Sequence, residues 1–407
     1  MSEGRDRSRV ATVLLVAAIV AVALNQRPAI VAVGSVLRKL QDSTGLGDTL
    51  AGVLTAVPVL CFGAFAPVAP RVARRIGLET AVALSLVLLV AGIALRLLTP
   101  VALLYAGSLL AGAAIALANV LLPAFVKREF LRPGPVMGVY SASLNVGAAL
   151  GAAVTLPLGT ALGLDWRGAL GLWLVLAAVA IALWLPVAGT GRAHRRAGAV
   201  LATGSWSLLR QPLARQVTGY LGLQSVEFYS FAAWLPTLLH DSAHVSLAEG
   251  GALLGVSNVT GALAALLAPA QAGRMRTQRP LVAGVVLAYA LGLGGLLFLP
   301  ATAPLLWVGL FGVAQGGGFA LALTLIVLRS PTPLSSARLG GVAQCLGYLV
   351  AAAGPLLLGA LHEGSGGWVW PLVLLLALLV PMAWSGWGAA RDAVIATRDS
   401  PAAVPTA

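Results

Sequence analysis

Twelve apolar runs of near-spanning length constrain this chain more than any other feature. They fall at 10–37, 49–70, 79–98, 101–126, 134–160 and 168–188, and, after a basic interruption, at 215–239, 249–270, 280–299, 303–328, 338–361 and 367–388. A hydrocarbon core about 30 Å thick is crossed by roughly 20 apolar residues in a helix. In lipid every backbone N–H and C=O must be satisfied within the protein, which leaves helices or a closed barrel. A barrel would show alternating segments of about ten residues, whereas these runs are continuous. The expected fold is all-α and integral to the membrane, with twelve transmembrane helices.

Composition agrees. Of 407 residues, 59% are apolar and 10% charged, and the mean hydropathy is +0.94. Soluble domains carry about 25% charged residues, so no sizeable soluble domain is expected. The sequence holds no phosphate-binding Gly-Lys-Ser/Thr loop, no nucleophile elbow and no His-Glu-x-x-His pattern. It is therefore read as neither an enzyme nor a cofactor protein. His240, Asp241 and His244 lie in a loop without convergent ligands, so no metal is expected. Cys61 and Cys345 fall inside apolar runs, which implies no disulfide framework. The basic stretch Met1–Arg9 could imitate the start of a signal peptide. The apolar run continues past Asn25-Gln26-Arg27-Pro28, so it is read as a retained first helix.

The net charge of +13 suggests nucleic acid only until its placement is read. The basic residues form small groups between apolar runs, with no interleaved stacking aromatics, so nucleic-acid binding is excluded. With the N-terminus inside, 21 of the 26 Lys and Arg fall on the cytoplasmic side. Only Arg38, Lys39, Arg96 and Arg167 fall outside, and Arg27 lies within a helix. This asymmetry predicts a plasma-membrane protein with both termini cytoplasmic.

The chain also looks duplicated. Ala51–Pro70 and Gly250–Pro269 have the same length and the same Ala-Pro ending, and Ser246-Leu247-Ala248-Glu249 reads as a capping box before the second copy. The fifth run carries Gly138 and Gly151, the eleventh Gly341 and Gly354 at the same offset. The fourth and tenth end at Arg128 and Arg329. Two pseudo-repeated six-helix halves are expected: a cytoplasmic N-terminus at 1–9, halves at 10–188 and 215–388, a cytoplasmic linker at 189–214 and a cytoplasmic tail at 389–407. The spacings Gly147-x-x-x-Gly151 and Gly312-x-x-x-Gly316 read as close helix packing.

Several segments resemble a known family. Asn25-Gln26-Arg27-Pro28-Ala29, Pro58-Val59-Leu60-Cys61-Phe62-Gly63, Ala69-Pro70-Arg71-Val72-Ala73-Arg74-Arg75-Ile76-Gly77, Asn119-Val120-Leu121-Leu122-Pro123 and, in the seventh run, Gln224, Phe228-Tyr229 and Trp234-Leu235-Pro236 together resemble the major facilitator superfamily, in its cyanate and 2-nitroimidazole permease branch. The resemblance covers nearly the whole chain. It implies alternating access around a midplane site between the halves, a monomer, and a small anion or planar heterocycle as substrate, with protons as the simplest coupling ion. The family's loop after the second helix usually reads Gly-x-x-x-Asp-Arg-x-Gly-Arg-Arg. Here Pro70 stands at the acidic position, so the charge relay does not carry over, and Arg71, Arg74 and Arg75 remain gating or topology residues. A proton-coupled multidrug exporter and a transporter-like membrane sensor are the alternative readings.

Arg27 is the sharpest candidate. A charge at membrane depth costs at least about 2.5–3.5 kcal/mol on insertion scales and faces a cavity or a partner. Pro28 removes the donor for the Leu24 carbonyl. Arg27 either offers its fork to an anionic or polar substrate or is structural, snorkelling or pairing with a carboxylate. Glu227 shares a stripe with Gln224, Phe231 and Trp234. It is a proton-coupling group, a counter-ion to Arg27 across the cavity, or a vestibule residue. Asn119, Asn145, Asn258, Gln315, Gln344, Tyr140, Tyr229 and Tyr348 also lie in apolar runs, where interhelical hydrogen bonding is an alternative role for each. The helices that line the cavity in this family single out Asn119, Tyr140, Gln224, Tyr229 and Gln344 as substrate-binding candidates with Arg27.

Overall fold

Apolar sequence in lipid satisfies its own backbone by coiling, and every long apolar run is helical in the computed structural model of the chain. Residues 2–46, 48–194 and 205–396 are described. Residues 195–204 of the expected linker and the tail beyond Ala396 lie outside them.

The helices are α1 (Ser2–Gln26), α2 (Pro28–Thr44), α3 (Asp48–Phe65), α4 (Ala69–Ile76), α5 (Leu78–Arg96), α6 (Val101–Glu129), α7 (Pro133–Ala161), α8 (Trp166–Gly171) and α9 (Trp173–His194), then α10 (Pro212–Ala243), α11 (Leu247–Ala272), α12 (Arg279–Phe298), α13 (Pro304–Leu328), α14 (Pro333–Ser365) and α15 (Val369–Ala389). Three spans are interrupted. The first breaks at Arg27, the second narrows to a 3₁₀ turn over Ala66–Val68, and the sixth is split between α8 and α9. Helix starts at Ser2, earlier than the apolar run at residue 10, because a polar turn can extend a helix into water at no cost in backbone hydrogen bonds.

Among the described residues, eleven helices are long and apolar enough to cross a bilayer. The remaining long one, α10, has 32 residues and falls short only in apolarity, since Gln224, Ser225, Glu227 and Ser230 interrupt it. Polar residues at membrane depth are tolerated where a helix faces protein or a cavity. The capping box is present: the Ser246 hydroxyl accepts from the Glu249 N–H at 3.2 Å, and Glu249 accepts from the Ser246 N–H at 2.9 Å. Leu263, Leu267, Leu287, Phe298, Leu356 and Val380 are large apolar side chains left exposed. Apolar surface on this scale belongs against lipid. Helices α6 and α13 are instead buried along most of their length and are apolar all round, as central helices must be.

The duplicated glycines take equivalent places. Gly138 of α7 lies against the Leu266 carbonyl of α11, and Gly341 of α14 against the Ala66 carbonyl at the end of the second span, where a Cβ would stand 3.0 Å away. These two contacts join the halves at the end that carries the basic loops. Gly134 adds to them: a Cβ there would be 2.5 Å from the Pro269 carbonyl. The second pair works inside the halves, Gly151 on Pro28 and Gly354 on Val226 and Ser230. The pair Gly312 and Gly316 receives Ser257, Thr260 and Gly261 of α11. Each spacing read as packing is packing.

Candidate substrate cavity

The cavity is built around the break in the first span. Pro28 has no N–H to give, so the Leu24 carbonyl is left without its helical donor. That oxygen points at Gly147 of α7, where a Cβ would lie 2.5 Å from it, and Pro28 rests on Gly151, 2.8 Å from a Cβ built there. The Arg27 carbonyl restarts the helix by accepting from Ile30 and Val31, each at 3.0 Å. Next to the break, Arg96 donates to the Ala29 carbonyl. Sequence placed Arg96 on the outer side, at the end of the third apolar run. It is instead 1% exposed, because its guanidinium is drawn to backbone at the interrupted helix rather than to water.

The break turns Arg27 toward a cavity of about 220 Å³ between the halves. Its guanidinium lies 5.6 Å from the ring centroid of Phe319, on α13 of the opposite half. Tyr229, Tyr348 and Tyr140 lie close enough to act on its charge. The carboxamides of Gln224, Asn145, Asn258 and Gln315 supply neutral donors and acceptors along the wall. Phe62 and Tyr348 have centroids 5.3 Å apart, and Tyr229 follows at 6.3 Å from Tyr348. Among the described residues Arg27 is the one charged side chain on this wall, and it forms no salt bridge: the ion pairs found are Arg128 with Glu79 and with Glu129.

Arg27, Gln224 and Tyr229 therefore share one cavity, while three other candidates stand behind it. Tyr140 donates to Asn119 Oδ1 at 3.3 Å, and Gln344 donates to the Asn119 carbonyl at 3.2 Å. All three are buried and join α7, α6 and α14 across the boundary between halves. Glu227 is 0% exposed, and neither carboxylate oxygen has a hydrogen-bond partner. It does not meet Arg27 and does not reach the wall. Spacing put it on the stripe with Gln224, yet α10 is packed on several sides, and three residues turn a helix far enough to send the two side chains to different neighbours.

Arg71, Arg74 and Arg75 are exposed along α4, the last two in its final turn. Arg71 donates to the Pro67 carbonyl at 3.2 Å. The buried ion pair at this end is made by Glu79 and Arg128 instead. In the other half the repeat-equivalent Arg329 forms no ion pair among the described residues, although Asp392 lies near enough to act on its charge. It donates to the Ala389 carbonyl at 2.8 Å and to Gln278. Asp241 accepts from Trp368 Nε1 at 2.8 Å; it and His240 lie in the last turn of α10, with His244 as its C-cap, and not in the loop expected from the sequence, because the helix runs on past the apolar stretch. Sequence passed over Asn145, Asn258, Gln315 and Tyr348 as wall residues, along with Phe62 and Phe319. One signal was available: Asn145 stands as far beyond Gly138 as Tyr348 stands beyond Gly341, so the two are equivalent in the repeat; apart from that, apolar helices carry no pattern that separates cavity from packing.

The sequence matches the Major Facilitator Superfamily over residues 13–355. It is 37% identical over 383 residues to the uncharacterized transporter YycB of Bacillus subtilis (strain 168), covering 94% of each chain. It is 37% identical over 381 residues to the 2-nitroimidazole transporter of Escherichia coli (strain K12), covering 93% of this chain and 96% of that one. The cyanate transport protein CynX of the same organism is 31% identical over 355 residues, 86% of this chain and 90% of its own. In fold the chain is similar to the proton:xylose symporter XylE, with a TM-score of 0.74 at 14% identity, covering 96% of this chain and 98% of that one. With the family match over most of its length, relatives at 31–37% identity and a cavity lined from both halves, this chain belongs to the major facilitator superfamily of membrane transporters.

Proposed function

We propose that the protein is a permease for a small planar solute that is anionic or carries a strongly electron-withdrawing group, moved by alternating access. The observation that carries this is the wall itself: one unpaired guanidinium among aromatic rings and carboxamides, with no carboxylate. Such a wall repels cations. A guanidinium gives two parallel charge-assisted hydrogen bonds to a carboxylate or nitro group, and the rings of Phe62, Tyr229, Phe319 and Tyr348 offer faces to a flat solute.

Size favours a ring over a three-atom anion. At about 30 Å³ per water-sized heavy atom, an ion of three heavy atoms fills at most roughly 90 Å³, whereas the cavity holds about 220 Å³. A 2-nitroimidazole-like solute is thus the better fit, and cyanate would bind at the arginine with room left over. The multidrug exporter reading calls for a carboxylate on the wall, and the described wall has none. The basic loops lie at the end where Gly134, Gly138 and Gly341 seal the halves; with that end cytoplasmic, this conformation is closed to the cytoplasm, and both termini lie inside.

The test is uptake into proteoliposomes of labelled 2-nitroimidazole and, separately, cyanate. Arg27→Ala is expected to lose uptake while keeping the wild-type unfolding temperature in detergent. Normal uptake by Arg27→Ala overturns the reading.

A further inference from the structure

Four carboxamides line the solute cavity, and the protein groups behind three of them decide which end of each is already engaged. Asn145 Nδ2 of α7 donates to the Ser141 carbonyl at 3.0 Å. Gln315 Nε2 of α13 donates to the Ser257 carbonyl at 3.3 Å. A carbonyl can only accept, so the amide nitrogen, not the amide oxygen, must face it. Gln224 of α10 is oriented one step further back. The Ser225 hydroxyl gives its one hydrogen to the Leu221 carbonyl at 2.7 Å. Toward Gln224 Nε2, 3.4 Å away, that hydroxyl can therefore only accept.

Each of the three is held with its nitrogen on the protein and its oxygen unengaged. Gln224 and Gln315 are 1% and 3% exposed, and their oxygens accept from no group among the described residues. Asn145 is half-buried, and its oxygen likewise accepts from none of the described residues.

The three side chains gather around Arg27. Gln315, Gly318 and Phe319 stand at i, i+3 and i+4 on α13 and so share one face. A Cβ on Gly318 would lie 3.5 Å from Gln224 Cγ, and the Arg27 guanidinium lies 5.6 Å from the Phe319 ring centroid. Asn145 belongs to the other half, two residues from Gly147, where the freed Leu24 carbonyl lands beside the break.

We infer that Asn145, Gln224 and Gln315 form an acceptor subsite beside Arg27, and that it selects a solute carrying a ring N–H in addition to the group Arg27 holds. This rests on the permease reading above and narrows its substrate class. A buried acceptor left without a donor is costly, so the wall favours the solute that brings the missing hydrogen. A site built to bond an N–H discriminates strongly against the analogue that lacks it. A cation with N–H groups would suit the oxygens, but Arg27 repels it. The solute left is a neutral or anionic ring with an N–H and an electron-withdrawing substituent. Cyanate, which has no N–H, engages Arg27 alone.

The experiment is displacement of labelled 2-nitroimidazole from the purified protein by 2-nitropyrrole and by 2-nitrofuran. The two competitors share a five-membered ring and a nitro group and differ only in an N–H or an oxygen in the ring. In the wild type 2-nitropyrrole should compete about tenfold or more better than 2-nitrofuran, the worth of one hydrogen bond to a buried acceptor. Asn145→Leu, Gln224→Leu and Gln315→Leu should each lower that ratio. Equal competition in the wild type overturns the acceptor subsite and leaves the permease reading standing, and this comparison decides even where a variant does not fold. A ratio unchanged in every folded variant overturns the assignment to these residues. If the wild type binds neither 2-nitroimidazole nor the competitors, the permease reading fails and the subsite falls with it.

Discussion

The Leu24 carbonyl and the Cα of Gly147 face each other across α1 and α7, so close that a Cβ on Gly147 would sit 2.5 Å from the oxygen. This relationship joins two sequence features that are 123 positions apart and look unrelated. Pro28 frees the carbonyl, and Gly147 lets the neighbouring helix come near enough to meet it through a Cα–H contact. The break is held open in this way, and Arg27 is turned toward the cavity.

Gly147→Ala should therefore disturb both packing and function. Backbone oxygens cannot retreat as a flexible side chain can, and overpacking of this kind costs about 1–3 kcal/mol. A lower unfolding temperature in detergent is expected, together with weaker binding of 2-nitroimidazole by scintillation proximity. Gly163→Ala supplies the contrast: it meets nothing within 4 Å but has a φ of +66°, so it should cost stability and leave binding unchanged.

Glu79 and Arg128 form an ion pair in which Glu79 is 4% exposed and Arg128 26%. Removing one partner strands the other. Arg128→Met should destabilise by about 3–5 kcal/mol because a buried carboxylate is left unpaired. Adding Glu79→Leu to that variant should recover most of the loss. Thermal unfolding of the two single variants and the double variant measures this, and purely additive losses would show that the pair is not the source of the stability.

Gly138 lies against the Leu266 carbonyl where the halves close at the basic end. A methyl group there penalises only the conformation in which that end is shut. Gly138→Ala should shift the population toward a conformation open at that end. Maleimide labelling of a single cysteine introduced at Ala264 in a background lacking Cys61 and Cys345 should then become faster. Unchanged labelling would mean that the contact does not report closure.

The sequence determined that lipid surrounds this chain, because runs of twenty apolar residues leave the backbone no option except helix. It also determined the duplication, through glycines at matching offsets, and it made Arg27 conspicuous, because a charge in such a run needs a reason. Tertiary structure alone decided what the polar residues do. In a helix that is apolar on every side, no amphipathic pattern shows which face meets lipid, cavity or another helix. So Asn119, Tyr140 and Gln344 look the same in sequence as Asn145, Asn258 and Gln315, although the first three tie helices together and the others line the cavity. Glu227 is the sharpest case. Three residues from Gln224 along one helix, it is carried by the packing of α10 off the cavity wall to a place where neither carboxylate oxygen finds a hydrogen-bond partner, and no sequence pattern separates that seat from one beside Arg27.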